Sequence, residues 1–203
     1  MTKIFILFIL LYSTTVPLFS QNFETLINSG IAKADKADFN GAIIDFRKAL
    51  VLNPKSAIAY NNIGNCYLGL KDLQTSVSYY NKAIQYNPKF AKAYYNRGKA
   101  KNELKKYDSS LIDLNKSLSL DPSYYAAYFI RANTRYSLQD VDGSIADYTT
   151  AIKLNPKYAE AYFNRGGARL TNGDQKGGCS DFNTSLKLGY KDAQELIDKF
   201  CKQ

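Results

Sequence analysis

Residues 91–124 read AKAYYNRGKAKNELKKYDSSLIDLNKSLSLDPSY, and the chain repeats this stretch in outline on both sides. Its proline, Pro122, lies 34 residues beyond Pro88, which lies 34 beyond Pro54, and Pro156 follows at the same interval. The residue before each proline is an amide or an acid: Asn53, Asn87, Asp121 and Asn155. A fixed period in this range marks stacked supersecondary units, each too small to bury its apolar face alone. Such stacks work by presenting a long surface, so the search is for a groove rather than a catalytic pocket.

Units in this register begin at Phe23, Ala57, Ala91, Tyr125 and Ala159. The eighth place reads Gly30, Gly64, Gly98, Ala132, Gly166, and the twentieth Ala42, Ser76, Ser110, Ser144, Gly178. Small residues there let two helices approach closely. The twenty-fourth place is large (Phe46, Tyr80, Leu114, Tyr148, Phe182) and fills the seam between them. The fourth place carries Tyr60, Tyr94, Tyr128 and Tyr162, a periodic stripe that reads as core.

The segments AYNNIGNCY (59–67), AYYNRGKAK (93–101) and AYFNRGGAR (161–169) strongly resemble the tetratricopeptide-repeat family. Its helix–turn–helix unit has an aromatic, Leu-Gly, Tyr, Ala, Phe, Ala, Pro pattern. The resemblance covers nearly the whole chain after the leader and implies an all-α solenoid. Five units are expected, 23–56, 57–90, 91–124, 125–158 and 159–192, followed by a capping helix over 193–203. The fifth unit departs from the pattern, with Tyr190 where proline is expected. Beyond it Ala193, Leu196, Ile197, Phe200 and Cys201 share one helical side, with polar residues opposite, as a terminal cap requires.

Residues 1–20 differ from the rest. Lys3 precedes an unbroken apolar run from Ile4 to Tyr12, too short to span a bilayer comfortably, and Ser20 is a small residue before a cleavage point. This reads as a signal peptide for export to the periplasm or the medium; the other reading is an uncleaved membrane anchor. Later apolar stretches are broken by charges, so membrane association is expected only through the leader or through a complex.

Composition bounds the chemistry. Apolar residues make up 45% of the 203, enough for a real core, and histidine is absent. That removes the commonest general base and the commonest metal ligand. No phosphate loop occurs, and three scattered cysteines without histidine do not make a metal site. The chain is therefore expected to be non-enzymatic, with no cofactor and no metal. The formal charge of +9 raises the question of nucleic acid, but the lysines recur at repeat positions rather than in one patch. No nucleic-acid partner is expected.

Arg97, Arg131 and Arg165 occupy the seventh place of their units, and Asp113, Asp147 and Asp181 the twenty-third. In antiparallel helices these places lie near one another. The pattern predicts structural ion pairs, within a unit or to the next, because the guanidinium fork can bind a carboxylate through two hydrogen bonds. The other reading is a set of anion-binding arginines.

The resemblance implies that the first helix of each unit lines the concave face, with contact residues at its second, fifth, sixth and ninth places. These give a candidate peptide groove of Asn28, Asn62, Asn65, Lys92, Tyr95, Asn96, Lys99, Phe129, Asn133, Phe163 and Asn164. An amide offers both a donor and an acceptor to a peptide backbone, and aromatics beside it supply rigid apolar area. The row looks like the asparagine ladder by which some members of the family hold extended peptides; asparagine there is equally a consensus feature. A carboxylate clamp is not completed, since Ile27, Ile31 and Asn96 stand where other groups are needed. Groove charges are mixed: Glu24, Asp35, Lys92, Lys99, Glu103 and Glu160.

Antiparallel packing of the fifth unit and its cap brings Cys179 and Cys201 close, which predicts a disulfide in an exported chain. Cys66, among core positions, is expected to be a buried free thiol. The functional expectation is a protein- or peptide-binding scaffold outside the cytosol. The alternative is a structural subunit of an envelope complex that uses its convex face or edges.

Overall fold

The computed structural model describes residues 22–201, and every regular element among them is a helix. The leader and the last two residues lie outside the described residues. The chain divides into two compact units, one ending at Lys89 and one beginning at Phe90.

The first unit holds α1 (22–35), α2 (Phe39–Leu52), α3 (Ala57–Gly69) and α4 (Leu73–Tyr86). The second holds α5 (Ala91–Glu103), α6 (Tyr107–Leu120), α7 (Tyr125–Ser137), α8 (Val141–Leu154), α9 (Ala159–Thr171), α10 (Gln175–Lys187) and α11 (Ala193–Phe200). Within each unit consecutive helices pack against each other, and in the second unit α5 also meets α7 and α7 meets α9.

Each hairpin turns on one residue in the left-handed region: Ala37, Lys71, Lys105, Gln139 and Gly173, with φ between 58° and 83°. The next residue opens the following helix. Asp38, Asp72, Asp140 and Asp174 each accept a hydrogen bond from the backbone N–H three residues on, satisfying a donor that the helix start leaves unpaired.

The hairpins close tightly because the eighth place is small. A Cβ on Gly64 would lie 2.5 Å from a ring carbon of Tyr80, and one on Gly30 would lie 2.5 Å from the ring of Phe46. The same holds for Gly166 against Phe182. Small polar residues facing the seam donate into it. Ser110 Oγ reaches the Gly98 carbonyl at 2.8 Å, and Ser185 Oγ reaches that of Ala159 at 2.8 Å. The first unit's core gathers Ile27, Ile43, Phe46, Ile63 and Cys66. The second unit has three apolar clusters, around Leu114, around Phe129 and Tyr148, and around Phe182 and Ile197.

The tyrosines at the fourth place are a correction. Tyr60, Tyr94, Tyr128 and Tyr162 are half-buried, not core. In the last three an arginine three residues on, one helical turn away, lays its guanidinium 5.3–5.5 Å from the ring centre. Tyr60 instead stacks on Tyr86 at 5.4 Å, with the Lys82 ammonium above it.

Candidate functional site

The arginines meet carboxylates inside their own repeats. Arg131 Nε and Nη2 donate to the two oxygens of Asp147 at 2.8 and 2.7 Å, and Arg165 holds Asp181 at the same distances. Arg97 holds Asp113 through the same two-point contact. Each carboxylate has a second cation one turn further along the first helix: Lys101, Arg135 and Arg169, at 2.8–2.9 Å. The remaining guanidinium nitrogens reach back a repeat, Arg131 to Asn115 and Arg165 to Thr149. In the first repeat Lys33 and Ser29 replace the arginines on Asp45. Their hydrogen bonds hold its carboxyl below the usual aspartate range. The second repeat has no charge at these places and fills them with a Tyr67–Tyr79 stack at 5.3 Å.

With each aspartate doubly paired, these arginines do not form an open anion site. The candidate surface is therefore the face of the first helices, and the structure divides its residues unevenly.

In the first unit Asn28 is exposed. Asn62 is half-buried, and its Nδ2 is a buried donor with no hydrogen-bond partner among the described residues. Asn65 accepts the Tyr80 hydroxyl at 2.9 Å, so its oxygen serves the fold.

In the second unit Lys92 is exposed and Lys99 half-buried. Two expected contact residues are corrected. Phe129 is 3% exposed and packs on Tyr148 and Tyr158, with ring centres 5.8 and 4.7 Å away. Asn96, on α5, is 6% exposed and so is buried rather than open to a ligand. The physical reason for Phe129 is that a fifth-place aromatic finds an aromatic at the end of its own repeat. Tyr95 likewise packs at a tilt on Tyr124, with ring centres 4.7 Å apart, and Phe163 on Tyr190 at 4.9 Å.

Asn133, Phe163 and Asn164 come together. They line a cavity of about 290 Å³ with Tyr136, Gly167 and Leu196. Asn133 Oδ1 accepts from the Tyr148 hydroxyl and from Asn164 Nδ2, the latter at 3.2 Å. This orients both amides and leaves Asn133 Nδ2 and Asn164 Oδ1 unengaged among the described residues: one donor and one acceptor, the pair that a peptide unit presents in complement. Burial pushes the Tyr148 phenol far above its ordinary range, so it stays a neutral donor.

Leu196 was not among the expected site residues. It comes from α11, whose Ala193 and Ile197 bury against Phe182. The helix is held at its far end by a disulfide between Cys179 and Cys201, with Cα atoms 5.6 Å apart. Gln175 Nε2 also donates to the Phe200 carbonyl at 2.7 Å. Cys66 is a buried free cysteine, and burial pushes its thiol up to about 11.

The roles of Asn65 and Asn133 had a sequence signal. Tyrosine stands at the twenty-fourth place only in the second and fourth units, and only those units have asparagine at the ninth. The pairing is that of a buried phenol with its acceptor. Among the described residues no group of acidic, cysteine or histidine side chains could hold a metal ion, and no helix is long and apolar enough to cross a membrane.

Models of repeat families match three stretches: a TPR repeat over 132–173, and tetratricopeptide repeats over 57–90 and 79–111. No curated protein sequence matches the chain. Solved structures do resemble it. A crystal structure of MamA is 24% identical with a TM-score of 0.70, the match covering 81% of this chain and 96% of that one. A pilF structure from Pseudomonas aeruginosa has a TM-score of 0.79 at 15% identity, covering 84% and 78%. YrrB, described as a TPR protein with an unusual peptide-binding site, has a TM-score of 0.69 at 17% identity, covering 89% and 97%. At these identities the likeness is one of fold.

Proposed function

The chain belongs to the tetratricopeptide-repeat family, and from that premise we propose that it is a non-enzymatic scaffold which docks a protein or peptide segment on the face of its first helices. One observation carries the reading. In the second unit the oriented amides of Asn133 and Asn164 leave a donor and an acceptor beside the apolar walls of Phe163 and Leu196, in one cavity. That combination suits a backbone unit with an apolar side chain next to it. YrrB is a fold relative described by its peptide-binding site, which supports the same kind of partner.

The scaffold acts outside the cytosol. The leader pattern supports this, and so does the Cys179–Cys201 disulfide, a bond that persists in oxidising compartments. A second reading, assembly through a convex face or edge, has its own support in the first unit: Val51 is 79% exposed and Ile44 is 54% exposed, both on α2.

Gly167 offers the test. A Cβ there would meet nothing within 4 Å, so larger residues fit without disturbing the helix pair. A photo-crosslinking amino acid at Gly167, compared with one at Val51, is expected to yield the partner adduct in the native organism. Gly167→Leu, which fills the cavity, is expected to abolish capture while circular dichroism is unchanged. Adducts from Val51 alone, with capture unaffected by Gly167→Leu, overturn the groove in favour of the α2 face.

A further inference from the structure

The cavity that holds the amide pair is built from two kinds of element. Asn133, Tyr136, Tyr148, Phe163, Asn164 and Gly167 stand on α7, α8 and α9, which pack against one another in sequence. Leu196 alone among the lining residues comes from α11. A second contact joins the same places. The Phe163 ring lies 4.9 Å from that of Tyr190, in the segment that leads into α11. One wall of the cavity therefore depends on where the cap sits.

That cap holds poorly by itself. α11 has eight residues, no side-chain hydrogen bond at its start, and only Ala193 and Ile197 buried. Gln194, Glu195, Asp198 and Lys199 are exposed. A helix this short is not stable without tertiary support. It packs along α10, and two contacts fasten its far end there: the Cys179–Cys201 disulfide and the 2.7 Å hydrogen bond from Gln175 to the Phe200 carbonyl. The disulfide is open to thiols. Both cysteines are half-buried and line a second cavity, of about 340 Å³, with Gln175, Lys176 and Phe200. None of these neighbours is acidic, so an incoming thiolate meets no like charge. Cys66 is buried in the core of the first unit, so exchange has one pair to act on.

We propose that the Cys179–Cys201 pair is a redox switch on the docking cavity. Oxidised, it seats α11, and Leu196 closes the wall; reduced, it frees the cap, and the docked segment is released. Switching off is thiol–disulfide exchange with a dithiol. One thiolate of the dithiol attacks a cysteine sulfur, its second sulfur displaces the first, and its two protons end on Cys179 and Cys201. Two electrons pass to the protein, and the dithiol leaves as a disulfide. Switching on is the reverse, with a disulfide as the oxidant. The proposal deepens the scaffold reading by naming how its site is regulated, and it rests on that reading for the occupant.

The probe is the blocked peptide N-acetyl-Ala-Leu-Ala-amide, titrated into the full chain, with binding read from the side-chain amide signals of Asn133 and Asn164. Oxidised protein is expected to bind saturably. Dithiothreitol is expected to weaken binding by about fivefold or more, the loss of one apolar wall, and oxidised glutathione to restore it. The double variant Cys179→Ser, Cys201→Ser should bind as the reduced chain does and ignore dithiothreitol. Leu196→Ala in oxidised protein should weaken binding to a similar degree, and reducing that variant should add little. Backbone amide signals of α5 and α6 should stay in place throughout, since only the cap is freed. Equal binding in both redox states overturns the switch and keeps the cavity. Weakening on reduction that Leu196→Ala does not reproduce, or movement of the α5 and α6 signals, assigns the effect to the whole unit and overturns the switch as well. No binding to the oxidised protein removes the docking cavity itself, and the switch with it.

Discussion

Arg131 holds Asp147 through two hydrogen bonds, Nε to Oδ2 at 2.8 Å and Nη2 to Oδ1 at 2.7 Å, while its third nitrogen reaches Asn115 at 2.7 Å in the repeat before. One side chain therefore ties the two helices of its own hairpin and fastens that hairpin to its predecessor. Arg165 repeats the arrangement with Asp181 and Thr149.

Replacing the carboxylate exposes what the pair does. Asp147→Ala removes the carboxylate that Arg131 holds at two points, in a place where the Arg131 side chain is only 16% exposed, and leaves Arg135 with Asp140 at 3.6 Å. We expect a loss of about 2–3 kcal/mol in urea unfolding, because removing one partner leaves a buried charge uncompensated. The joint change of Arg131→Met and Asp147→Leu should cost far less, since paired charges and packed apolar residues are near equal in such places. Equal losses in the two variants would show that the ion pair itself supplies net stability.

The Tyr148–Asn133 bond gives a double-mutant cycle. Asn133→Ile alone leaves a phenol hydroxyl without its acceptor and should cost about 1–3 kcal/mol. Adding Tyr148→Phe reproduces the first repeat, which has Phe46 with Ile31, and should recover most of that loss. No recovery in thermal or urea unfolding would mean that Asn133 acts through other contacts.

The hairpin turns are open to improvement. Ala37, Lys71, Lys105 and Gln139 stand at positive φ, where a Cβ is strained. Lys105→Gly should stabilise by roughly 0.5–1 kcal/mol despite the entropy glycine loses on folding. Gly173→Ala should destabilise by a similar amount, since Gly173 already has φ 83°.

Stability should fall at both ends of the pH scale, for opposite reasons. Asp45 has a carboxyl held down by hydrogen bonds from Lys33 and Ser29. Its contribution is present above the unfolded value of 3.8 and is lost as pH drops through the lower folded value. Ser29→Ala should flatten that acid limb. The Tyr95 phenol is raised from 10.0 to about 12, so between those values the unfolded chain releases a proton that the folded one keeps. Stability then falls as pH rises from 10.0 toward 12, and Tyr95→Phe should reduce the slope measured by urea titration.

Reducing the disulfide should act locally before it acts globally. Its closure of a 22-residue separation gives about 3 kcal/mol in the chain-entropy model. An eight-residue helix has little stability of its own, so α11 depends on its packing and its tether. Hydrogen exchange should rise first in α11 and at Phe163 and Gly167, which share the cavity wall with Leu196. Uniform exchange across the second unit would show that the cap and the cavity are not coupled in this way.

Much of the fold was legible because the repeat states each constraint several times. A small eighth place facing a large twenty-fourth is a steric rule, and four glycines against Phe46, Tyr80, Leu114 and Phe182 express it. The site was less legible. Phe129 and Asn96 occupy contact places by register, yet register does not report depth. Phe129 is buried because Tyr148 and Tyr158 close over it, and those partners lie 19 and 29 residues away in sequence. The cap's Leu196 could not be assigned to the cavity from helical spacing, because spacing says which side of α11 is apolar and not what that side meets.

The sequence by itself determined the period, the all-helical class, the close hairpins and the type of residue on each face, since these follow from local sterics and polarity repeated in register. Only the tertiary structure decided which polar groups are already satisfied and which remain open. Asn65 and Asn133 lend their oxygens to tyrosine hydroxyls, and three arginines are each held by an aspartate, while Asn133 Nδ2 and Asn164 Oδ1 remain unengaged among the described residues. The physical reason is that a hydrogen bond or an ion pair belongs to two residues at once, and the second is placed by packing across helices rather than by the chain's own register.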